Sequence, residues 1–304
     1  MLKHAYMIMC HNNFQLLQKL IVLLDNDQND IYLHIDKKSR GFDYREINSW
    51  VKYANITFLK RINVNWGGYS QIKAELKLLK EATKKEHVYY HLLSGVDLPL
   101  KTQAQIQQFF EKNAGKEFVA IDEVNTKDND FFDRIGRYHF FQDYIGRNKG
   151  YRSAFLEHLE SISLNLQAIF HIKRNNKKYR HIYKGANWFS ITHKFAKYLV
   201  ANEKNIHRDF GFGLCADELF LQTIIMNSPF RNNIANDSLR YIDWIRGKPY
   251  IFKSEDYDIL MLSNKLFARK FDYNKNSDIV DRIFDELHLN EILRKYIKKF
   301  KMKI

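Results

Sequence analysis

Between residues 4 and 93 the chain repeats one rhythm: a short apolar run, then apolar residues at helical spacing, then another apolar run. His4–Cys10 is the first run, and Phe14–Leu24 follows with Leu16, Leu17, Leu20 and Leu24. Ile31–Ile35, Ile56–Leu59 and Val88–Leu93 supply further runs, while Ser70–Ala82 carries Ile72, Leu76, Leu78 and Leu79. Short continuous apolar runs read as buried strands, and a 3.6-residue period reads as helix. Parallel strands need a crossover, and each crossover helix covers one face of the sheet. The expectation is therefore an α/β fold: a mostly parallel, Rossmann-like sheet with helices on both faces. Ligands of such sheets bind beyond the carboxyl ends of the strands.

After Pro99 the rhythm loosens. Phe118–Ile121 and Trp188–Thr192 read as strands, His193–Asn202 and Ala216–Met226 as helices, and Asp128–Tyr151 as polar, aromatic loop. Lys173–Lys184 is a basic loop, and residues 286–304 form a basic amphipathic tail behind a single domain spanning 1–285. No repeat and no Pro/Gly/Ser-rich linker divides that domain.

Lys and Arg number 49 against 35 Asp and Glu, a formal charge of +14 that calls for a polyanionic partner: nucleic acid, anionic membrane or phosphate-bearing substrate. No nucleic-acid-binding motif accompanies it, so a basic nucleic-acid-binding protein is the rival of another class. Cys10 and Cys215 have no metal-ligand spacing and read as buried reduced thiols. No apolar stretch approaches the ~20 residues that span a bilayer, and the N-terminal apolar run is too short for a signal peptide. The expected location is the cytoplasm, peripheral on the inner face of the membrane, with Lys298, Lys299, Lys301 and Lys303 facing anionic lipid.

Five motifs can carry chemistry. Cys215-Ala-Asp-Glu-Leu puts Asp217 and Glu218 in the first turn of a helix, where carboxylates either cap or serve as a general base. Ser94-Gly-Val-Asp97 turns directly after a buried strand, with Asp97 able to fix the turn or meet a ligand. His34 and Asp36 share one side of a strand, the histidine reading as core and the carboxylate as a ribose or uracil contact. Trp66-Gly-Gly-Tyr-Ser70 leads into a helix, with glycines that permit close approach to a ligand. Arg269 and Lys270, flanked by Phe267 and Phe271, suit a diphosphate. Two Asp-Asn-Asp triplets, Asp25–Asp27 at a helix end and Asp128–Asp130 in a polar loop, lie where no metal site is expected, and none is assigned elsewhere.

In their order these motifs resemble the core-2/I-branching β-1,6-N-acetylglucosaminyltransferase family, which includes the peptide O-xylosyltransferases. Tyr32–Ser39, Trp66–Ser70, Leu92–Lys101, Lys184–Thr192, Ala216–Phe220 and Leu266–Asp272 carry the resemblance, over roughly residues 4–275. It implies a GT-A-type fold, an inverting mechanism, a UDP-sugar donor and no divalent metal or other cofactor. Glu218 matches the catalytic base, and Lys270 the cation that neutralises the donor diphosphate. His11, Asp36, Trp66, Asp97, Arg246, Lys248, Arg269 and Lys270 form the expected donor side, with Arg246, Lys248 and Arg269 equal candidates to assist Lys270. Arg134, Arg137, Tyr138, Trp188 and Asp217 form the expected acceptor side. The implied partners are a UDP-sugar, N-acetylglucosamine first and xylose or another hexose next, and an oligosaccharide or lipid-linked glycan. Animal members carry a membrane anchor and many disulfides, so the resemblance implies a bacterial cytosolic version.

Overall fold

A computed structural model describes residues 2–122, 130–146, 150–174, 179 and 181–301, with the side chains of 130–132, 295–296 and 298–301 outside that description. Among the described residues there are ten strands: β1 (Lys3–Cys10), β2 (Asn29–Ile35), β3 (Asn55–Phe58), β4 (His87–Ser94), β5 (Leu98–Pro99), β6 (Glu117–Val119), β7 (Phe189–Thr192), β8 (Ile234–Ala235), β9 (Arg240–Ile242) and β10 (Phe267–Arg269). Seven of them form one sheet in the order β3-β2-β1-β4-β7-β6-β8, and β5-β10-β9 form a second. β7 alone runs against the other six strands of the large sheet.

Alternate side chains of β1 enter two separate cores, which explains its unbroken apolar run. Tyr6, Ile8 and Cys10 meet the Phe14–Leu24 and Gln103–Lys112 helices, whereas Ala5 and Met7 meet Ser70–Ala82, His193–Ala201 and Phe220–Met226. Helices thus cover both faces of a mostly parallel sheet, the architecture expected of a GT-A-type fold. The second sheet is tied on by Arg240 at the head of β9. Its guanidinium donates to the carbonyls of Leu92 (3.0 Å) and Phe189 (2.7 Å) and to Ser190 Oγ (2.8 Å). Burial pushes this arginine down to about 9.

Three expectations need correction. Asp128–Tyr151 is not simply loop: helices occupy Asp130–Gly136 and Gln142–Ile145, and a 19-residue helix starts at Tyr151. Ala216–Met226 is not one helix. A 3-10 turn at Ala216–Glu218 precedes the Phe220–Met226 helix, with Leu219 between them at φ −120. The tail does not separate at residue 285, because one helix runs from Ser277 to Lys301 and buries Ile279, Val280, Ile283 and Leu287 in the main core. The tail cations fall outside the described side chains, as does the Asp128–Asp130 triplet. Among the described residues no helix is long and apolar enough to cross a membrane.

Candidate active site

The carboxyl ends of the central strands are stitched together by backbone bonds. Asp36 N donates to Cys10 O (2.8 Å) and Gly95 N to Met9 O (2.9 Å), so β1, β2 and β4 end in register. His11, just past β1, is exposed, and its carbonyl accepts from Ser39 Oγ (2.7 Å). The Asp36 carboxylate accepts from the amides of Lys38 (2.8 Å) and Val64 (3.2 Å), which makes it a buried organiser of the loop after β2. His34 is a core histidine, accepting from Ile62 N and lowered to about 4, chiefly by burial.

At the end of β4, Asp97 is fully buried. It accepts from the Ser94 amide (2.9 Å) and hydroxyl (2.6 Å), the turn-fixing role the sequence allowed. Arg269 Nε lies 3.6 Å from Asp97 Oδ1, and its guanidinium covers the Trp188 ring at 4.0 Å. Trp188, expected on the acceptor side, therefore stacks with a donor-side residue. Phe271 N donates to Val96 O (3.0 Å), so half-buried Lys270 is held beside the same turn. Arg246 is committed elsewhere: it reaches Asp243 (2.6 Å) and Asp256 (2.7 Å), and those two carboxylates raise its pKa further. Lys248 is exposed.

Across from these residues, Cys215 adopts a left-handed conformation (φ 45), and its amide donates to Gly67 O (2.8 Å). Gly67 (φ +74) has Gln142 Nε2 and Cys215 Sγ close to where a Cβ would project, and Gly68 has Asp143 Oδ1 only 2.0 Å from that point. The two glycines admit neighbouring chain segments, not a ligand as the sequence suggested. Trp66 is 48% exposed, and its carbonyl accepts from Gln142 Nε2 (3.2 Å).

The clasp between Gly67 and Cys215 sets the turn that presents Glu218. Glu218 is partly exposed, and Arg134 Nη1 donates to its Oε2 at 3.2 Å. Asp217 points the other way, into the protein. It accepts from Gln71 Nε2 (3.1 Å) and Asn187 Nδ2 (3.3 Å), while its Oδ1 has no hydrogen-bond partner. Burial first, and the charge of Glu218 second, push Asp217 up to about 7. Behind it Glu75 is fully buried with both carboxylate oxygens unpartnered, and burial holds it well above the usual carboxylate range. Sequence reasoning passed over Glu75, although an acid on the same stripe as Ile72, Leu76 and Leu79 was a visible signal.

Of the residues expected on the acceptor side, Arg137 pairs with Asp133 (3.4 Å). The Tyr138 ring stacks with Phe140 (5.5 Å) and lies under Arg174 (5.2 Å). The structure thus joins Asp97, Arg269, Trp188, Asn187, Asp217, Glu218 and Arg134 into one run of contacts above the strand ends, and leaves the Arg246 guanidinium occupied with Asp243 and Asp256. Asp25 spends its carboxylate on the amides of Lys52, Tyr53 and Ala54. Among the described residues no three His, Cys, Asp or Glu converge as metal ligands.

A chain with exposed and buried carboxylates side by side, and cations at the ends of parallel strands, has the parts of a group-transfer site. The family model described as Core-2/I-Branching enzyme matches residues 4–269, and the chain belongs to that family of glycosyltransferases. Similar proteins include xylosyltransferase 2 of Rattus norvegicus, 22% identical over 91% of this chain and 33% of its own length. Xylosyltransferase 1 of Canis lupus familiaris is 21% identical over 92% of this chain and 30% of its own. The chain thus spans about a third of the length of these curated relatives. Among solved structures, apo mouse xyloside xylosyltransferase 1 aligns over 88% of this chain and 96% of its own, at 9% identity and a TM-score of 0.41.

Proposed function

We propose that this chain is an inverting, metal-independent glycosyltransferase. In this reading it moves a sugar, N-acetylglucosamine before xylose or another hexose, from a UDP-sugar to a hydroxyl of a glycan or lipid-linked oligosaccharide. The observation that carries the reading is Glu218, partly exposed and held by Arg134, at one end of the run that reaches Arg269 and Lys270 at the other. Glu218 takes the acceptor hydroxyl proton as that oxygen forms a bond to the anomeric carbon. The bond from that carbon to the β-phosphate oxygen breaks, and UDP leaves with the electron pair. Fixed cations aimed at the charge that develops on the β-phosphate stabilise the transition state. Lys270 and the partly buried Arg269 are those cations, and Arg134 orients the base.

The enzyme works in the cytoplasm against the inner face of the membrane, where a lipid-linked acceptor resides. Glu218→Gln should keep UDP affinity, read by thermal shift, while turnover falls by roughly 10²–10⁴. Near-normal turnover removes Glu218 from the role. Activity should survive excess EDTA, and strict dependence on a divalent ion would refute the metal-free reading. Tight, salt-sensitive binding to DNA or RNA without UDP affinity would favour the nucleic-acid rival.

A further inference from the structure

The helix Tyr151–Ile169 is built inside out. Its buried residues are polar: Ser153, Glu160 and Gln167, seven apart and therefore on one stripe. They serve the segment 138–145, whose irregular backbone needs partners. Gln167 Oε1 accepts from Tyr138 N (2.8 Å), and its Nε2 donates to Tyr138 O (2.9 Å). Glu160 accepts from Phe141 N (3.0 Å) and pairs with His139 Nδ1 (3.0 Å), and Ser153 donates to Ile145 O (3.4 Å).

The opposite stripe is apolar and faces water. Tyr151 is 100% exposed, Phe155 61%, Ile162 42%, Leu166 48% and Ile169 68%. At ~100° per residue these five fall within about 60° of arc, roughly opposite the buried polar stripe. Phe170 (68%) and Ile172 (46%) extend the apolar surface past the helix end. An apolar patch of this extent marks an interaction surface.

Charge identifies what covers it. From Arg147 to Lys184 there are nine Lys and Arg against two Glu, so this stretch of 38 residues holds +7 of the chain's +14. Glu160 is buried against His139 and Arg174 is buried over Tyr138, so one acid and one cation drop out together and the excess stays at +7. We propose that this helix lies in the plane of an anionic lipid bilayer, its Phe155–Ile162–Leu166 stripe among the acyl chains and the exposed Arg152 and Lys173 at the headgroups, with the net charge of the stretch drawing it to the anionic surface. An apolar stripe with aromatic ends and basic flanks is what an interfacial helix requires. A second copy of the chain would set +7 against +7, and a nucleic acid would leave the apolar stripe in water. Docking itself does not depend on the glycosyl-transfer reading. Its consequence does: the inner stripe holds the segment that also bonds Trp66, so docking fixes how the Glu218 site stands relative to a lipid-linked acceptor.

The test uses the full chain without donor. It should sediment with phosphatidylcholine vesicles containing phosphatidylglycerol, far less with phosphatidylcholine alone, and less again as salt is raised. The triple variant Phe155→Ser, Ile162→Ser, Leu166→Ser should lose at least roughly tenfold in partitioning, while it keeps a cooperative unfolding transition and unchanged UDP binding, because none of the three side chains is buried. Deleting residues 294–304 should leave partitioning within about twofold of the parent. As a second readout, Phe155→Cys can be labelled with an environment-sensitive dye, since Cys10 and Cys215 are buried. Its emission should shift to the blue on adding anionic vesicles. A triple variant that sediments like the parent, or an unshifted dye, overturns the proposal. So does a concentration-dependent dimer that the triple variant abolishes in the absence of any vesicle binding. UDP binding is read separately, so loss of the catalytic reading and loss of docking remain distinct results.

Discussion

Replacing Asp217 with asparagine removes a buried acid that the native fold keeps protonated far above its ordinary range. Asp217 is pushed from 3.8 to about 7, first by burial and then by the Glu218 charge. Between those two values the folded protein holds a proton that the unfolded chain has released, so stability falls as pH rises. Each unit of difference is worth ~1.4 kcal/mol, so ~3 units amount to ~4 kcal/mol lost between pH ~4 and ~7. Below pH ~4 both states carry the proton and the cost vanishes; above pH ~7 it is constant. Asparagine keeps an oxygen for Gln71 and Asn187 but has no proton to release. Urea unfolding of parent and Asp217→Asn in steps from pH 4 to 8 measures the effect. The variant's stability should decline less steeply by about one proton across the window, gaining several kcal/mol at neutral pH. Glu75, raised first by burial and then by the charge of Asp217, keeps its burial-driven slope in both proteins and loses the Asp217 part of it in the variant, which flattens the variant's curve further. Parallel pH curves for the two proteins would refute the reasoning.

Acid should act through a different group. His34 is depressed from 6.5 to about 4, mainly by burial, so its contribution is full above pH ~6.5 and is lost as pH falls through ~4. His34→Gln, which can still accept from Ile62 N, should flatten that limb in the same unfolding series by ~3 kcal/mol. Arg269→Ala strips the cation from fully buried Asp97 and uncovers Trp188, so chemical denaturation should show a loss of ~3 kcal/mol. Its UDP affinity, read calorimetrically, should fall as well. Gly68→Ala places a methyl 2.0 Å from Asp143 Oδ1, so the midpoint of thermal unfolding should drop as for a loss of ~1–3 kcal/mol.

The first third of the chain could be read because its elements obey the period of their burial. β1, β2 and β4 carry apolar runs in their central residues since both faces of the sheet are covered, and Leu16, Leu17, Leu20 and Leu24 follow the helix they stabilise. Tyr151–Ile169 escaped because it inverts the rule: its buried positions are Ser153, Glu160 and Gln167, and its apolar positions face out. The break at Leu219 escaped because a left-handed Cys215 and its bond to Gly67, distant in sequence, override local helix propensity. At the site, the strand-end turn around Asp97 was legible from its turn residues alone. Glu218 and Lys270 stood out only through the family resemblance, since one acid in a first turn and one cation beside an aromatic are common surface patterns. The pairing of Arg134 with Glu218 spans 84 positions, and no local pattern encodes it.

The single reversed strand has a consequence for how such a site can diversify. β7 enters the sheet where its parallel neighbours leave it, so the residues preceding β7, Asn187 and Trp188, lie against Asp217 and Arg269. Variation upstream of β7 can therefore remodel the candidate site while the strand itself stays anchored by its ladder to β4. A parallel strand at this position would have confined such variation to the segment that follows it.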